Sequence, residues 1–426
     1  MASETDSPYQ HNPYKKSRLK IAIAGGQMLF VAFGALVLVP ILTGIDPNVA
    51  MFTAGVGTLI FQVVTRWQIP IFLGSSFAFI APILYSVEIW GMPATLGAVA
   101  VAGMFYLFLS LMVKLRGSGF LYRFFPPVVV GPVIMVIGLS LAHVAVNMAM
   151  GKTGDGAVQI YEPTKAIIVA AVSLGTTMLF AVFGNGWFRL VTVLGGVICG
   201  LCMAAFLDIT DFSGVTTAAW FSAPSFVAPE WNFNAILFMV PVAVAPAIEH
   251  LGDILAISSV VGKDYVEKPG LHRTLMGDGL ATSFAALVGG PPNTTYSEVT
   301  GAIMLTKIVN PQAMTWAAGF AIALAFLGKL GAVLGSIPGP VMGGIMVLLF
   351  GSIAAVGLNT IVKARVNIAA PRNLVIVALA LVFGLGELKL GTDMFALQGV
   401  SLAAITAALL NFVLPEDCHQ DKNHYP

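Results

Sequence analysis

The chain has 426 residues, 58% of them hydrophobic and only 10% charged, with a mean hydropathy of +0.90 and a net charge of +1. So few charges cannot coat a soluble globule of this size, and a near-neutral balance gives no footprint for nucleic acid. Apolar runs of about 20 residues recur along the chain, each long enough to cross a hydrocarbon core, so the composition reads as an all-α polytopic membrane protein.

The first 19 residues are polar and basic and lack the apolar core and small-residue cleavage site of a secretory signal; they read as a cytoplasmic tail. Fourteen spans follow, centred near residues 32, 57, 78, 103, 134, 173, 198, 246, 281, 300, 323, 351, 380 and 404. With the N-terminus inside, only Lys152, Lys165, Lys329 and Lys389 fall on the outer side, against 17 of the 21 basic residues on the inner side. The positive-inside rule then puts both termini in the cytoplasm. Cys199 and Cys202 sit as CGLC inside an apolar run, where small residues pack rather than exchange electrons, and Cys418 lies in the C-terminal tail.

The two halves share a pattern. Pro127, Gly131 and Gly138 align with Pro340, Gly344 and Gly351 at a constant offset, and seven spans per half would give two repeats of opposite orientation. The expected organisation is a tail over 1–19, a first seven-span repeat over 20–208, an external linker over 209–232, a second repeat over 233–414 and a tail over 415–426. Trp220 and Trp231 in the linker suit the membrane interface.

Two stretches interrupt the apolar pattern in equivalent places. IPIFLGSSFAFIAP, from Ile69, and GGPPNTTYSEVTGAIMLTK, from Gly289, place Gly, Pro, Ser and Thr where a spanning helix prefers Leu and Val. They predict short extended breaks in spans 3 and 10. Irregular backbone survives at membrane depth only beside protein or a cavity, and the helix that restarts presents N–H donors and a partial positive charge to a ligand.

Ionisable residues gather beside the second break. Glu249, His250 and Asp253 lie in an otherwise apolar helix and Glu298 follows the break, each too costly to face lipid. Glu249 and Asp253, spaced i and i+4, share a helix face with Gly252 between them, whereas His250 is rotated by about 100°. The spacing is too sparse in oxygen ligands for a metal such as calcium. There is no phosphate-binding GxxxxGK[ST], no GxSxG and no HExxH, so neither ATP-driven transport nor hydrolysis is expected, and no cofactor is implied. Protons suit titratable carboxylates at this depth.

QMLFVAFGALVLVP (from Gln27), LGSSFAFIAP (from Leu73), AIEHLGD (from Ala247), PGLHRTLMGDGL (from Pro269), PNTTYSE (from Pro292) and IPGPVMGG (through Gly344) together resemble the nucleobase ascorbate transporter family, closest to its bacterial uracil:proton symporters and uracil or xanthine permeases. The resemblance covers nearly the whole chain. It implies fourteen spans in two inverted repeats, a core domain of spans 1–4 and 8–11, a gate domain of spans 5–7 and 12–14, and a homodimer formed through the gate. It implies proton-coupled uracil import across the inner membrane, with Glu249 and Glu298 as substrate carboxylates, Phe77 as stacking aromatic and Tyr296 and Ser297 as backbone donors. The proton-coupling position falls on Asp253, with Glu249 and His250 beside it. A flat ring with alternating N–H donors and carbonyl acceptors calls for such a set of groups.

Three positions depart from the family pattern. Asp253 stands where the uracil symporters have a histidine, Val299 where the family signature has an asparagine, and Phe350 where a tyrosine is usual. A xanthine or urate symporter is the nearest alternative, although such carriers commonly have glutamine at the position of Glu298. An anion transporter of related fold is disfavoured by repulsion from two carboxylates.

Overall fold

The computed structural model describes residues 18–117, 119–185, 187–386, 388–392 and 395–415. Most of both expected tails, with Lys15, Lys16, Lys422 and Cys418, lies outside the described residues. The first half runs through α1 (Arg18–Thr43), α2 (Pro47–Val64), strand β1 (Leu73–Ser75), a single tight turn, and α3 (Ile80–Arg116). It continues through α4 (Gly119–Phe124), α5 (Pro127–Ser140), α6 (Ala142–Ala149), α7 (Pro163–Phe183), α8 (Trp187–Leu190) and α9 (Thr192–Phe206). A short helix α10 (Ser213–Thr217) interrupts the linker.

The second half comprises α11 (Phe233–Val242), α12 (Val244–Val261), α13 (Leu271–Leu287), strand β2 (Asn293–Thr295), α14 (Ser297–Thr306) and α15 (Pro311–Ala325). It ends with α16 (Gly328–Gly335), α17 (Gly339–Lys363), α18 (Pro371–Leu385), the hairpin β3 (Leu390–Thr392) and β4 (Phe395–Leu397), and α19 (Gly399–Val413). Among the described residues, seven helical stretches are long and apolar enough to cross a bilayer: 18–43, 47–64, 77–116, 127–149, 163–183, 233–261 and 339–363. Shorter apolar helices accompany them at Thr192–Phe206, Pro371–Leu385 and Gly399–Val413.

Local chemistry sets many of the ends. Asp46 caps α2 by accepting from Asn48 N at 2.8 Å, with Pro47 at the first helical position. Asn232 and Asn310 cap α11 and α15 in the same way, and α12 ends on left-handed Gly262. The sequence reads the segment around Glu249 as one helix, but it divides at Ala243, because Pro246 has no N–H to offer the carbonyl of Val242. Spans centred at 78 and 103 are continuous within α3 except at Gly91, whose φ of 80° and ψ of 166° interrupt the helix.

Two groups of helices build the body. In one, α13 packs against α3 and α2, α15 against α2 and α1, and α11 against α3. In the other, α17 packs against α5, α6 and α7, α7 against α9, and α18 against α19 and α5. They meet where α1 touches α9 and where α12 touches α5 and α19. The 209–232 connection is tied to the first group: Ser225 N donates to Asp46 Oδ2 at 2.9 Å, Glu230 N to Pro93 O at 2.9 Å and Ser222 N to Phe326 O at 3.1 Å.

Helices in lipid gain little from hiding apolar surface against one another, so close backbone contact between small residues carries much of the packing. A methyl group on Gly103 of α3 would lie 2.7 Å from Ser283 N and 2.8 Å from Gly279 O, and one on Gly279 of α13 would lie 2.7 Å from Gly103 O. Gly175 of α7 has open space at the same position. Gly103→Val is therefore expected to cost about 1–3 kcal/mol or more and to lower the melting temperature of the detergent-purified protein. Gly175→Ala is expected to leave it unchanged or slightly raised. Equal melting curves for the two variants would show that the α3–α13 contact does not limit stability.

Candidate substrate site

The strands β1 and β2 cross as an antiparallel pair, Leu73 opposite Thr295, Gly74 opposite Thr294 and Ser75 opposite Asn293, and all six residues are buried. Pro70 precedes one strand and Pro291 and Pro292 the other; each pushes the residue before it, Ile69, Gly290 or Pro291, toward extended backbone, so neither strand is entered directly from a helix. Three residue pairs cannot satisfy the backbone through this depth, so neighbouring side chains complete it. Gln62 Nε2 donates to Ile69 O at 2.9 Å, Thr58 Oγ1 accepts from Leu73 N at 2.9 Å, and Thr282 Oγ1 donates to Asn293 O at 2.6 Å. Asn293 Nδ2 in turn donates to Thr53 O at 2.9 Å.

Beyond the strands the helices restart. Phe77 begins the turn leading into α3, Tyr296 is the N-cap of α14, and Glu298 lies in the first turn of α14, where backbone N–H groups have no intrahelical partner. Ser297 opens α14; its side chain lies outside the described residues. The phenol of Tyr296 donates to Ser75 O at 2.9 Å, and its ring covers Gly74 so closely that any Cβ there would overlap it. Glycine at 74 is thus a requirement of contact. The rings of Phe77 and Tyr296 lie within 15° of parallel with centroids 6.5 Å apart, an arrangement in which one planar ligand can lie parallel to both. Phe350 from α17 meets Phe77 edge-on at 6.1 Å, bringing the second helix group against the first.

The predicted ionisable residues come together from α12 and α14. Glu249 and Glu298 lie within electrostatic reach of each other, and Glu249 Oε2 is buried with no hydrogen-bond donor among the described residues. Asp253 is not free: Thr295 Oγ1 donates to its Oδ2 at 2.7 Å. His250 is fully buried and sits edge-on to Phe61, with ring centroids 6.5 Å apart.

One acid was not anticipated. Asp278 of α13 is fully buried, its Oδ2 lies 3.5 Å from His250 Nδ1, and neither of its carboxylate oxygens has a hydrogen-bond partner among the described residues. The sequence did carry the signal, because MGDGL puts a lone carboxylate into an apolar helix, the feature that marked Asp253. Thr295 had no such signal; only its contact with Asp253 distinguishes it from the other hydroxyls of the break.

The family follows from comparison with known proteins. Residues 19–392 match the Permease family of xanthine and uracil carriers. The chain belongs to this permease family. Its members are transporters rather than enzymes. Among relatives, a Haemophilus influenzae protein named "Probable uracil permease" is 54% identical over 94% of this chain and 96% of its own length. The "Uracil permease" of Bacillus caldolyticus is 43% identical over 91% of this chain and 90% of its own. Among solved structures, the transmembrane domain of the cyanobacterial bicarbonate transporter BicA superposes with a TM-score of 0.64 at 14% identity, over 93% of this chain and 98% of that one. At that identity the likeness shows the shared fold alone.

The phenol of Tyr296 is the site's cross-brace between its two halves. Tyr296→Phe leaves a buried carbonyl at Ser75 unsatisfied, a loss of about 1–3 kcal/mol, while keeping the ring. A lower melting temperature in detergent is expected; an unchanged one would mean that the two restarting helices are held by other contacts.

Proposed function

We propose that the protein is a proton-coupled symporter that imports uracil across the cytoplasmic membrane. The observation that carries this reading is the buried Glu249 Oε2, without a donor among the described residues, on a carboxylate within electrostatic reach of Glu298 and of Tyr296, whose ring lies near-parallel to that of Phe77. Buried polar atoms of proteins are nearly always paired, so a carboxylate oxygen without a donor is suited to a ligand that brings its own N–H. Glu249 and Glu298 accept from the ring N–H groups, backbone N–H groups at Tyr296 and Ser297 serve the carbonyls, and Phe77 lies along the ring face. The relatives named uracil permease support the choice of substrate.

In this reading the fourteen spans form two inverted repeats, with the broken spans third and tenth and both termini cytoplasmic. The helix group holding α2, α3, α13 and α15 is the core, and the group holding α5, α7, α17 and α18 is the gate, through which two copies pair. A proton taken from outside by Asp253 or Glu249, with His250 beside them, loads the site, and the core then moves against the gate. Neutralising a carboxylate before it moves through a medium of low dielectric lowers the cost of the movement.

The test is uptake of labelled uracil in cells lacking their own uracil permease, with unlabelled xanthine as competitor and the proton gradient collapsed in parallel. Uptake that resists xanthine and disappears with the gradient is expected; strong xanthine competition would instead make the substrate an oxidised purine. Glu298→Gln exchanges a charged acceptor for a neutral amide and is expected to weaken uracil uptake about tenfold to a hundredfold, the worth of one charge-assisted hydrogen bond. A Glu298→Gln protein that matches the parent sinks the site assignment. Asp253→Asn is expected to exchange uracil across the membrane without accumulating it, whereas retained proton-driven accumulation would move the coupling role to Glu249.

A further inference from the structure

The hydroxyl of Thr295 stands between the candidate proton site and the strand pair that leads into the substrate site. It donates to Asp253 Oδ2 at 2.7 Å, and Thr295 Oγ1 also lies 3.5 Å from His250 Nδ1, which is itself 3.5 Å from Asp278 Oδ2. Its backbone lies in β2 opposite Leu73 of β1, and the next residues are Tyr296, Ser297 and Glu298. Thr295 is 1% exposed, so water does not compete for its single proton. Resting on the proton-coupled reading above, we propose that Thr295 is a positioning residue whose hydroxyl reports the charge of Asp253 to the β1–β2 pair.

The argument is one of donor count. A hydroxyl has one proton and two acceptor lone pairs. Against an ionised Asp253 the proton is committed to the carboxylate, a charge-assisted bond about twice as strong as a neutral one. When Asp253 gains a proton from the external water it becomes a carboxylic acid with a donor of its own. The Thr295 hydroxyl then accepts from Asp253, and its proton is released to turn toward His250 Nδ1. No covalent bond changes apart from the O–H formed on Asp253. The pull on β2 weakens in the same event, one residue before the segment that presents backbone donors and Glu298 to the substrate. Asp278 lies at the end of this chain of contacts, its Oδ2 and the Thr295 hydroxyl both 3.5 Å from the same imidazole nitrogen, His250 Nδ1.

Asp253 has several charged or titratable neighbours. Glu249 is one turn away on α12, Asp278 approaches from α13, and Glu298 reaches the cluster from α14 through Glu249. Tyr106 of α3 interacts with Asp278 and Glu249, and Tyr296 with Glu298 and Glu249. Thr295 differs from all of these because its own backbone is part of a strand while its hydroxyl bonds Asp253 directly.

The experiment is the pH profile of gradient-driven uracil uptake for the parent, Thr295→Val and Thr295→Ser, with uracil binding to each purified protein measured alongside. Valine keeps the shape and the strand preference but removes the donor to ionised Asp253, so the proton is taken more readily. The alkaline limb of the Thr295→Val profile is expected to move to higher pH by about one unit, with accumulation reduced and uracil binding within about threefold of the parent. Thr295→Ser, which keeps the hydroxyl, is expected to follow the parent profile. Should valine prevent the protein from reaching the membrane, Thr295→Ala is read in the same assay. A parent-like profile for the valine or alanine variant, or equal shifts for valine and serine, overturns the proposal by assigning Thr295 to packing. A parent whose uptake ignores the proton gradient sinks the coupling reading and this inference together, whereas a gradient-driven parent with an unshifted valine variant sinks this inference alone.

Discussion

The structure depends on a single demand of its solvent: no backbone N–H or C=O within the hydrocarbon region can be left without a partner. A helix meets the demand by itself. Two stretches of this chain give up that solution, at Leu73–Ser75 and Asn293–Thr295, and each unsatisfied group there would cost several kcal/mol. They are rescued partly by each other, as a strand pair, and partly by side chains of the helices beside them. Thr58 of α2 serves the first stretch, Gln62 of α2 the extended approach to it at Ile69, and Thr282 of α13 the second stretch. Those helices must therefore lie close to the strands, and the glycines that admit close approach follow from that need. Gly57 of α2 faces Asn293, and Gly103 and Gly279 bring α3 and α13 together.

The same crossing concentrates the chemistry. Ending a helix and restarting it leaves an N-terminal turn with donors to offer, and two such turns, one starting at Phe77 and one after Tyr296, arrive side by side because their strands are paired. Carboxylates are tolerated here for the reason they would be expelled elsewhere. Glu249, Asp253, Asp278 and Glu298 face one another, His250, Thr295 and the interior, where each can be matched by a hydroxyl, an imidazole or a ligand. The edge of Phe350 against Phe77 links this region to the other helix group, so movement between the groups would be felt at the stacking ring.

Much of this was legible in the residues. The apolar runs, the two Pro- and Gly-rich interruptions and the acids around residues 249 and 298 are local features, and the structure places those acids together beside the paired strands. The discontinuity at Ala243 is not legible, because a hydropathy pattern does not register which carbonyl a proline leaves unpaired, whereas the interruption at Gly91 falls between the two spans read there. Asp278 is readable by the rule that marks Asp253, a lone carboxylate in an apolar helix. The partnership of Thr295 with Asp253 was not readable, since 42 residues and a reversal of direction separate them.

The sequence by itself determined that the chain lives in a membrane, that Pro- and Gly-rich stretches interrupt two of its apolar runs, and that it places ionisable groups near one of the interruptions. Each is a property of a short segment in a uniform solvent, so composition and spacing suffice. The tertiary structure alone decided that the two breaks pair strand to strand, that Tyr296 reaches across to the carbonyl of Ser75, and that one hydroxyl joins the acid on α12 to the strand before the substrate site. These depend on which helices lie side by side, and that choice is made by glycine-scale packing and hydrogen-bond satisfaction between segments that are 42 to 221 residues apart in the chain.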